Sequence, residues 1–376
     1  MCRRSEISLN KQRCQIIFEQ SIKSEQTRKT YLLQVKKFER FVGAQTMDDL
    51  LQWDQKEIQE KIEDYVISLK DKINPNSFGP QMSPLFLFYD LSGIILNKTR
   101  IKKLYPARVK AQGFNAYTRQ DISLMLSNTR KKRTKAMILV FASTGCRVGA
   151  LQGLKMSDIY DTVNPNCKCL QFYTGFREEY YGFLTPEATK ALYEYFEERT
   201  SYGERLSSDS PVFALYENAR KQITMNAKLQ PVTRFAVSNA FATILSKNGR
   251  PMDSGQRHKI PITHGFRKFF NKTLKMRESA NLSVCEKLLG HSVTISLDNA
   301  YLPLGKEELF LEFEKAIPEL TIREDERQAL KIKELEKERR IEEDKTTENR
   351  LLKEQMELLK LRMERMELSR VCDLKL

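Results

Sequence analysis

The sequence predicts a mainly α-helical chain with one small antiparallel β-sheet. A helical front domain is followed by a larger, mixed helical domain and a charged C-terminal helix. Three observations predict this. Apolar residues recur at three-to-four spacing through most of the chain. Alternation is confined to residues 167–173 and 180–184, which flank a turn at Gly175-Phe176-Arg177-Glu178 and read as a hairpin. After Pro318 the composition changes, and over half of residues 319–376 are charged.

Residues 1–24 read as a polar, basic tail. From Thr27 the pattern turns helical: Tyr31, Val35, Phe38 and Val42 share a face, and Gly43 ends the run. A second helix places Ile58, Ile62, Tyr65, Val66, Leu69 and Ile73 on one side. A third apolar stretch spans 78–96, with Pro84 expected at the true start of its helix. These elements make an all-helical domain over 25–108. Its faces carry Lys29, Lys36, Lys37 and Arg40, then Lys98, Arg100, Lys102 and Lys103. Residues 105–116 hold Pro, Gly and Lys without a period, and the linker falls at 109–115.

Thr118-x-x-Asp121 caps the next helix. The segment 136–142 is apolar nearly all round and should be buried, with Gly145 closing it. The hairpin follows. Thr185-Pro186-Glu187 gives a cap and then Pro at the first helical position. Further helices are expected at about 232–247 and 263–277. Ser283-x-x-Glu286 reads as a capping box, and Gly290 as a stop signal before His291. Leu309, Phe310, Phe313 and Ile317 share a face of the helix that closes this domain, 116–318. In the tail, Glu334 with Lys337, Glu336 with Arg340 and Glu357 with Lys360 support a helix. Leu352, Met356, Leu359, Met363 and Met366 form a seam of about two heptads. Two readings stay open for it, a short coiled coil and a solvated helix.

The 376 residues (43.9 kDa) carry a formal net charge of +15. Residues 319–376 hold 15 Lys and Arg against 16 Asp and Glu, which leaves 49 against 33 for residues 1–318. The whole positive excess therefore lies on the folded domains. Such an excess suits a polyanion, most commonly nucleic acid, with a solubility surface as the ordinary alternative. The seven cysteines show no disulfide framework spacing, and Cys167-Lys168-Cys169 lacks the second pair that a zinc site needs. Those two thiols are expected on one face of a strand. No metal and no cofactor are predicted. No secretory apolar region follows Met1, and no apolar run approaches a membrane span, so an intracellular, reduced, soluble protein is expected.

Five residues invite chemistry: Arg147 in Thr-Gly-Cys-Arg, His264 and Arg267 in His-Gly-Phe-Arg, His291 in Leu-Leu-Gly-His, and Tyr301. Two arginines and two histidines suit a phosphate, and a tyrosine hydroxyl is a nucleophile for one. His264 and Arg267 lie three apart on a helix and so share a face. Each residue also has an ordinary reading. Arg147 can offset a helix C-terminal dipole, His291 can be a polar cap, and Tyr301 is one of 14 tyrosines.

Taken in order, these stretches resemble the tyrosine recombinases, or phage-type integrases, and among them the archaeal integrases. The matching segments are Ala-Ser-Thr-Gly-Cys-Arg147-Val-Gly-Ala-Leu-Gln-Gly-Leu-Lys-Met-Ser-Asp158-Ile, Thr-His264-Gly-Phe-Arg267-Lys-Phe-Phe, Cys-Glu-Lys-Leu-Leu-Gly-His291-Ser and Leu-Asp-Asn-Ala-Tyr301-Leu-Pro. The resemblance covers about residues 25–318. It implies a DNA-clamping front domain and a catalytic domain that cuts and rejoins DNA through a 3′-phosphotyrosine, without metal or ATP. It assigns Tyr301 as nucleophile and His264 as its base. Arg147, Arg267 and His291 hold the charge on the phosphate. It implies double-stranded DNA with inverted-repeat sites as partner and a homotetramer on paired sites. The expected place is the cytoplasm, on the nucleoid, and the expected task is integration and excision of a mobile element.

Three departures stand out. The family's hairpin lysine, a general acid, is replaced in the turn by Arg177, with Lys168 on the strand as the other candidate. Ala150 stands where the family usually has an acidic residue. Leu302-Pro303 follows Tyr301 where archaeal relatives often have an arginine. The alternatives are a weak or inactive recombinase-like DNA-binding protein, a type IB topoisomerase-like enzyme, and an adaptor acting through its tail.

Overall fold

The computed structural model describes residues 13–109, 115–215, 229–247, 260–291 and 304–373. The chain divides into two compact units, Met1–Ala111 and Gln112–Leu376.

The first unit is helical: α1 (Arg13–Ser21), α2 (Glu25–Val42), α3 (Gln55–Leu69), α4 (Phe78–Leu91) and α5 (Lys98–Lys103). Ser24 caps α2 by accepting the Thr27 N–H, and Gly43 ends it at φ 78°, a left-handed turn that glycine adopts without strain. Val35, Phe38, Ile58, Ile62, Val66, Met82 and Leu85 form the core. Two expectations need correction. Residues 13–21 are not tail but α1, because Phe18 is fully buried and packs edge-on against Phe88. Pro84 does not start α4 but lies inside it. The cost of its missing N–H is outweighed by burial of Phe78, Met82, Leu85, Phe88 and Tyr89 on the same helix. The basic clusters are partly neutralised: Lys29 pairs with Glu25 (2.7 Å), Arg100 with Glu63 (2.9 Å) and Lys98 with Asp90. Lys36, Lys37, Arg40, Lys102 and Lys103 are exposed.

The second unit contains α6 (Arg119–Ser127), α7 (Lys132–Thr144), α8 (Ala150–Gly153), β1 (Ile159–Asp161), β2 (Lys168–Phe172), β3 (Tyr180–Leu184), α9 (Pro186–Ser201), α10 (Arg234–Lys247), α11 (His264–Lys275), α12 (Leu282–Leu288), α13 (Lys306–Glu314), α14 (Ile317–Leu320) and α15 (Glu324–Asp373). The antiparallel sheet runs β1-β2-β3, with Asp161 opposite Lys168 and Phe172 opposite Tyr180. The three-residue β1 is too short to announce itself by alternation. Helix α7 is buried from Ala136 to Thr144 and packs against α9, α11 and β3. Ser143 ties it to the sheet by donating to the Phe183 carbonyl (2.9 Å) and accepting the Thr185 N–H (2.8 Å). The capping box of Thr118 with Asp121 forms. The box expected at Ser283 does not: Asn281 caps α12 by accepting the Val284 N–H, which releases Glu286 for other partners.

The folded body runs past Pro318. Leu320 and Ile322 are buried, and Glu187 accepts the N–H groups of Ile322 (2.5 Å) and Arg323 (3.2 Å). Arg119 donates to the carbonyls of Glu319 and Thr321. From there α15 runs for 50 residues. Among the described residues no helix is long and apolar enough to cross a membrane.

Candidate active site

Three chain turns carry the site: the end of α7, the start of α11 and the end of α12. Gly145 ends α7 at φ 58°, and a Cβ there would meet the Phe270 ring at 2.6 Å. Only glycine turns the chain at this point and lets α11 pack beside it.

Arg267, in the first turn of α11, is buried. It donates from Nη1 to the Gly145 carbonyl (2.9 Å) and from Nη2 to the Leu289 carbonyl (2.6 Å). One guanidinium thus holds the ends of α7 and α12 together. Arg147 stands two residues beyond Gly145, is exposed, and reaches the Gly290 carbonyl from Nη1 (3.2 Å). His291 follows Gly290. Its Nδ1 is bonded to the Glu286 carboxylate, which Lys275 also holds. Burial alone would raise the Glu286 carboxyl, but Lys275 and His291 outweigh it and hold it below the usual range. A carboxylate on Nδ1 fixes the ring and leaves Nε2 to face a ligand.

His264 opens α11. Burial, and then the charges of Arg267, Lys268, Arg147 and His291, hold its pKa below the ordinary histidine value. Burial, and then Arg147, likewise lower Arg267, which stays charged. The structure therefore brings Arg147, His264, Arg267 and His291 together, with positive charge concentrated among them. Tyr301 lies outside the described residues.

The hairpin turn between β2 and β3 is exposed, Arg177 included. Tyr173 enters it at φ 57°, uncommon for a bulky residue, and Gly175 continues at φ 78°. Lys168 sits at the other end of β2. Four residues of strand, roughly 13 Å, separate it from Phe172 at the turn. It is bonded to Asp161 and faces the Tyr193 ring at 5.8 Å. That position counts against Lys168 as a substitute for the hairpin lysine.

Two further residues belong to this neighbourhood and escape a reading of the sequence. Arg234, first residue of α10, donates from Nε to Gln152 (3.2 Å) and lies so close to Gly149 that a Cβ there would meet Nη2 at 2.5 Å. Its charge reaches Tyr173 together with those of Arg147 and Arg267. The faint signal was Gly149, two residues after Arg147. Tyr180 packs its ring on Gly290, and its buried hydroxyl lies beside the Arg267 guanidinium. Ala150 is buried at the start of α8.

The depressed His264 pKa carries a pH prediction. A base must be neutral, and here the neutral form is favoured in the folded state. Cleavage under subsaturating conditions, which reports the free protein, should hold its plateau below pH ~6.5 and then fall with a one-proton slope. The same preference means that His264 costs stability only as pH drops below about 6.5, where the unfolded chain takes up the proton first. A pH–rate profile of single-turnover cleavage checks this. A fall beginning above pH ~6.5 would remove His264 as the base.

Comparison with known proteins places the arrangement. The phage integrase family model matches residues 116–308, just over half of the chain and all of the turns above. The tyrosine recombinase XerC of Treponema denticola is 28% identical over 255 residues, which cover 65% of this chain and 79% of that protein. Among solved structures, the Tn1549 transposon integrase in complex with transposon right end DNA is similar at 14% identity and a TM-score of 0.53, covering 80% of this chain and 98% of that one. A lambda integrase dimer bound to a COC′ core site is similar at 15% identity and a TM-score of 0.51, covering 78% and 94%. These two share its fold. The chain belongs to the phage integrase family and is a tyrosine recombinase.

Proposed function

We propose that this chain integrates and excises a mobile element by cutting and rejoining double-stranded DNA at inverted-repeat sites, as a homotetramer on two paired sites in the nucleoid. The observation that carries this reading is the convergence of Arg147, Arg267, His264 and His291 on one patch of concentrated positive charge. In the proposed step, Arg147 and Arg267 grip the non-bridging oxygens of a phosphodiester, and His291, held through Nδ1 by Glu286, turns Nε2 toward the same group. His264 takes the Tyr301 proton as the phenolic oxygen attacks phosphorus. The bond to the 5′ oxygen breaks and that oxygen takes a proton from water, leaving a 3′-phosphotyrosine and a 5′ hydroxyl. The diester energy is kept in the covalent link, so rejoining needs no nucleotide.

Support for the partner comes from the relatives, whose structures hold DNA, and from the positive excess on residues 1–318. A weak or non-cutting DNA-binding protein is the second reading. It is favoured by the hairpin, where Arg177 is a poor proton donor and Lys168 is engaged elsewhere. A duplex carrying candidate attachment sequence, nicked beside the cut position, separates the two. The 5′-hydroxyl fragment diffuses away and traps the adduct. Wild type should yield a protease-sensitive covalent complex that Tyr301→Phe lacks. No complex from wild type supports the second reading.

A further inference from the structure

The body of the second unit ends at Ile322, and α15 then extends for 50 residues, about 75 Å. Leu330, in its second turn, packs on the core. Leu352, Met356, Leu359 and Met363 are each 51–59% exposed. They recur at four and three and so form a seam over the distal half, with the exposed Leu351 and Leu358 lying outside it. We propose that residues 348–367 zip in parallel against the same segment of a second copy of this chain. The proposal deepens the multi-protomer assembly above, and rests on that reading for its purpose.

The identity of the occupant comes from the residues around the seam. With Met356 and Met363 at position a, and Leu352, Leu359 and Met366 at d, Asn349 falls at the preceding a position. A lone asparagine at a favours two parallel strands in register, because it is satisfied only by its mate in the partner helix. The flanking g and e positions are then Glu348 with Lys353, Gln355 with Lys360, and Arg362 with Glu367. Across a parallel pair of identical helices, each g residue meets the e residue five positions on. The result is two attractive pairs, one neutral pair and no repulsive one. An antiparallel alignment that packs the same seam sets Lys353 against Lys360. On the outer face, Arg350 already pairs with Glu354 along its own helix (3.9 Å). The near-neutral tail, 15 cations against 16 anions, lets two copies approach without the repulsion expected between the basic domains.

Two and a half heptads bind weakly alone. Their use is to raise the local concentration of a second protomer once one is on DNA. The chain without DNA should therefore show reversible self-association by sedimentation equilibrium. Leu359→Lys should weaken it by about tenfold or more, with unfolding of the body unchanged because the residue is exposed. Arg362→Glu alone sets Glu against Glu and should weaken association likewise. Combining Arg362→Glu with Glu367→Arg should restore it. A chain that stays monomeric, that associates equally with Leu359→Lys, or whose Arg362→Glu defect is not rescued by the swap overturns the proposal. The readout contains no DNA, so a failure of the recombinase reading appears separately, in the adduct assay.

Discussion

Arg267→Ala should abolish detectable strand cleavage, a loss of about 10³-fold or more, and should also destabilise the fold by about 2–4 kcal/mol. The two losses have one origin. The guanidinium is the link between the Gly145 carbonyl at the end of α7 and the Leu289 carbonyl at the end of α12. Without it both carbonyls lose their partner in a buried setting, and a cavity opens between the helices. The turns that present Arg147 and His291 then lose their common anchor. Arg267→Lys should recover part of the stability and little of the cleavage, because an ammonium is a point donor without the fork that spans both carbonyls. Thermal unfolding and single-turnover cleavage, measured on the same preparations, check both halves.

Arg147→Ala should separate what Arg267 combines. Arg147 is exposed and, among the described residues, makes one hydrogen bond to protein, at 3.2 Å to the Gly290 carbonyl. Stability should stay within about 0.5 kcal/mol of wild type. Cleavage should fall by about 10²–10³-fold, the usual cost of removing one donor from a developing oxyanion. DNA binding at low salt should change little, since one phosphate contact among many carries a small share. A filter-binding titration beside the cleavage assay distinguishes a lost catalytic contact from a lost binding contact. Equal losses in both would make Arg147 a binding residue only.

Much of this architecture is legible in the sequence, for definite reasons. Gly145 announces itself because an apolar helix must end there and only glycine takes the left-handed turn against Phe270. His264 and Arg267 are readable as one unit because a helix sets residues three apart on one face. The misreadings also have causes. Pro84 looks like a helix start because local chemistry says so, whereas five buried residues of α4 overrule it. Ser283 and Asn281 are both good caps one half-turn apart, and the choice was decided by packing that no local pattern records. Freed from capping, Glu286 became the partner of His291 and Lys275. Arg234 carries no motif at all. It joins the site only because α10 begins beside Gly149, a relation set by tertiary folding.

The hairpin offers no free lysine at its turn. Arg177 lies in an exposed turn of two left-handed residues, and Lys168 is held at the far end of the strand. An arginine there supplies charge without a transferable proton. The buried Tyr180 hydroxyl lies beside Arg267 in the same site.

In the proposed reaction Tyr301 attacks a phosphate held by this cluster. The most direct measurement is peptide mapping by mass spectrometry of the covalent complex trapped on the nicked duplex, with end-labelling of the DNA. One modified residue is expected, Tyr301, joined to the 3′ end of the cut strand, with a free 5′ hydroxyl on the other side. A complex that maps to another residue, joins the 5′ end, or forms undiminished with Tyr301→Phe would contradict it.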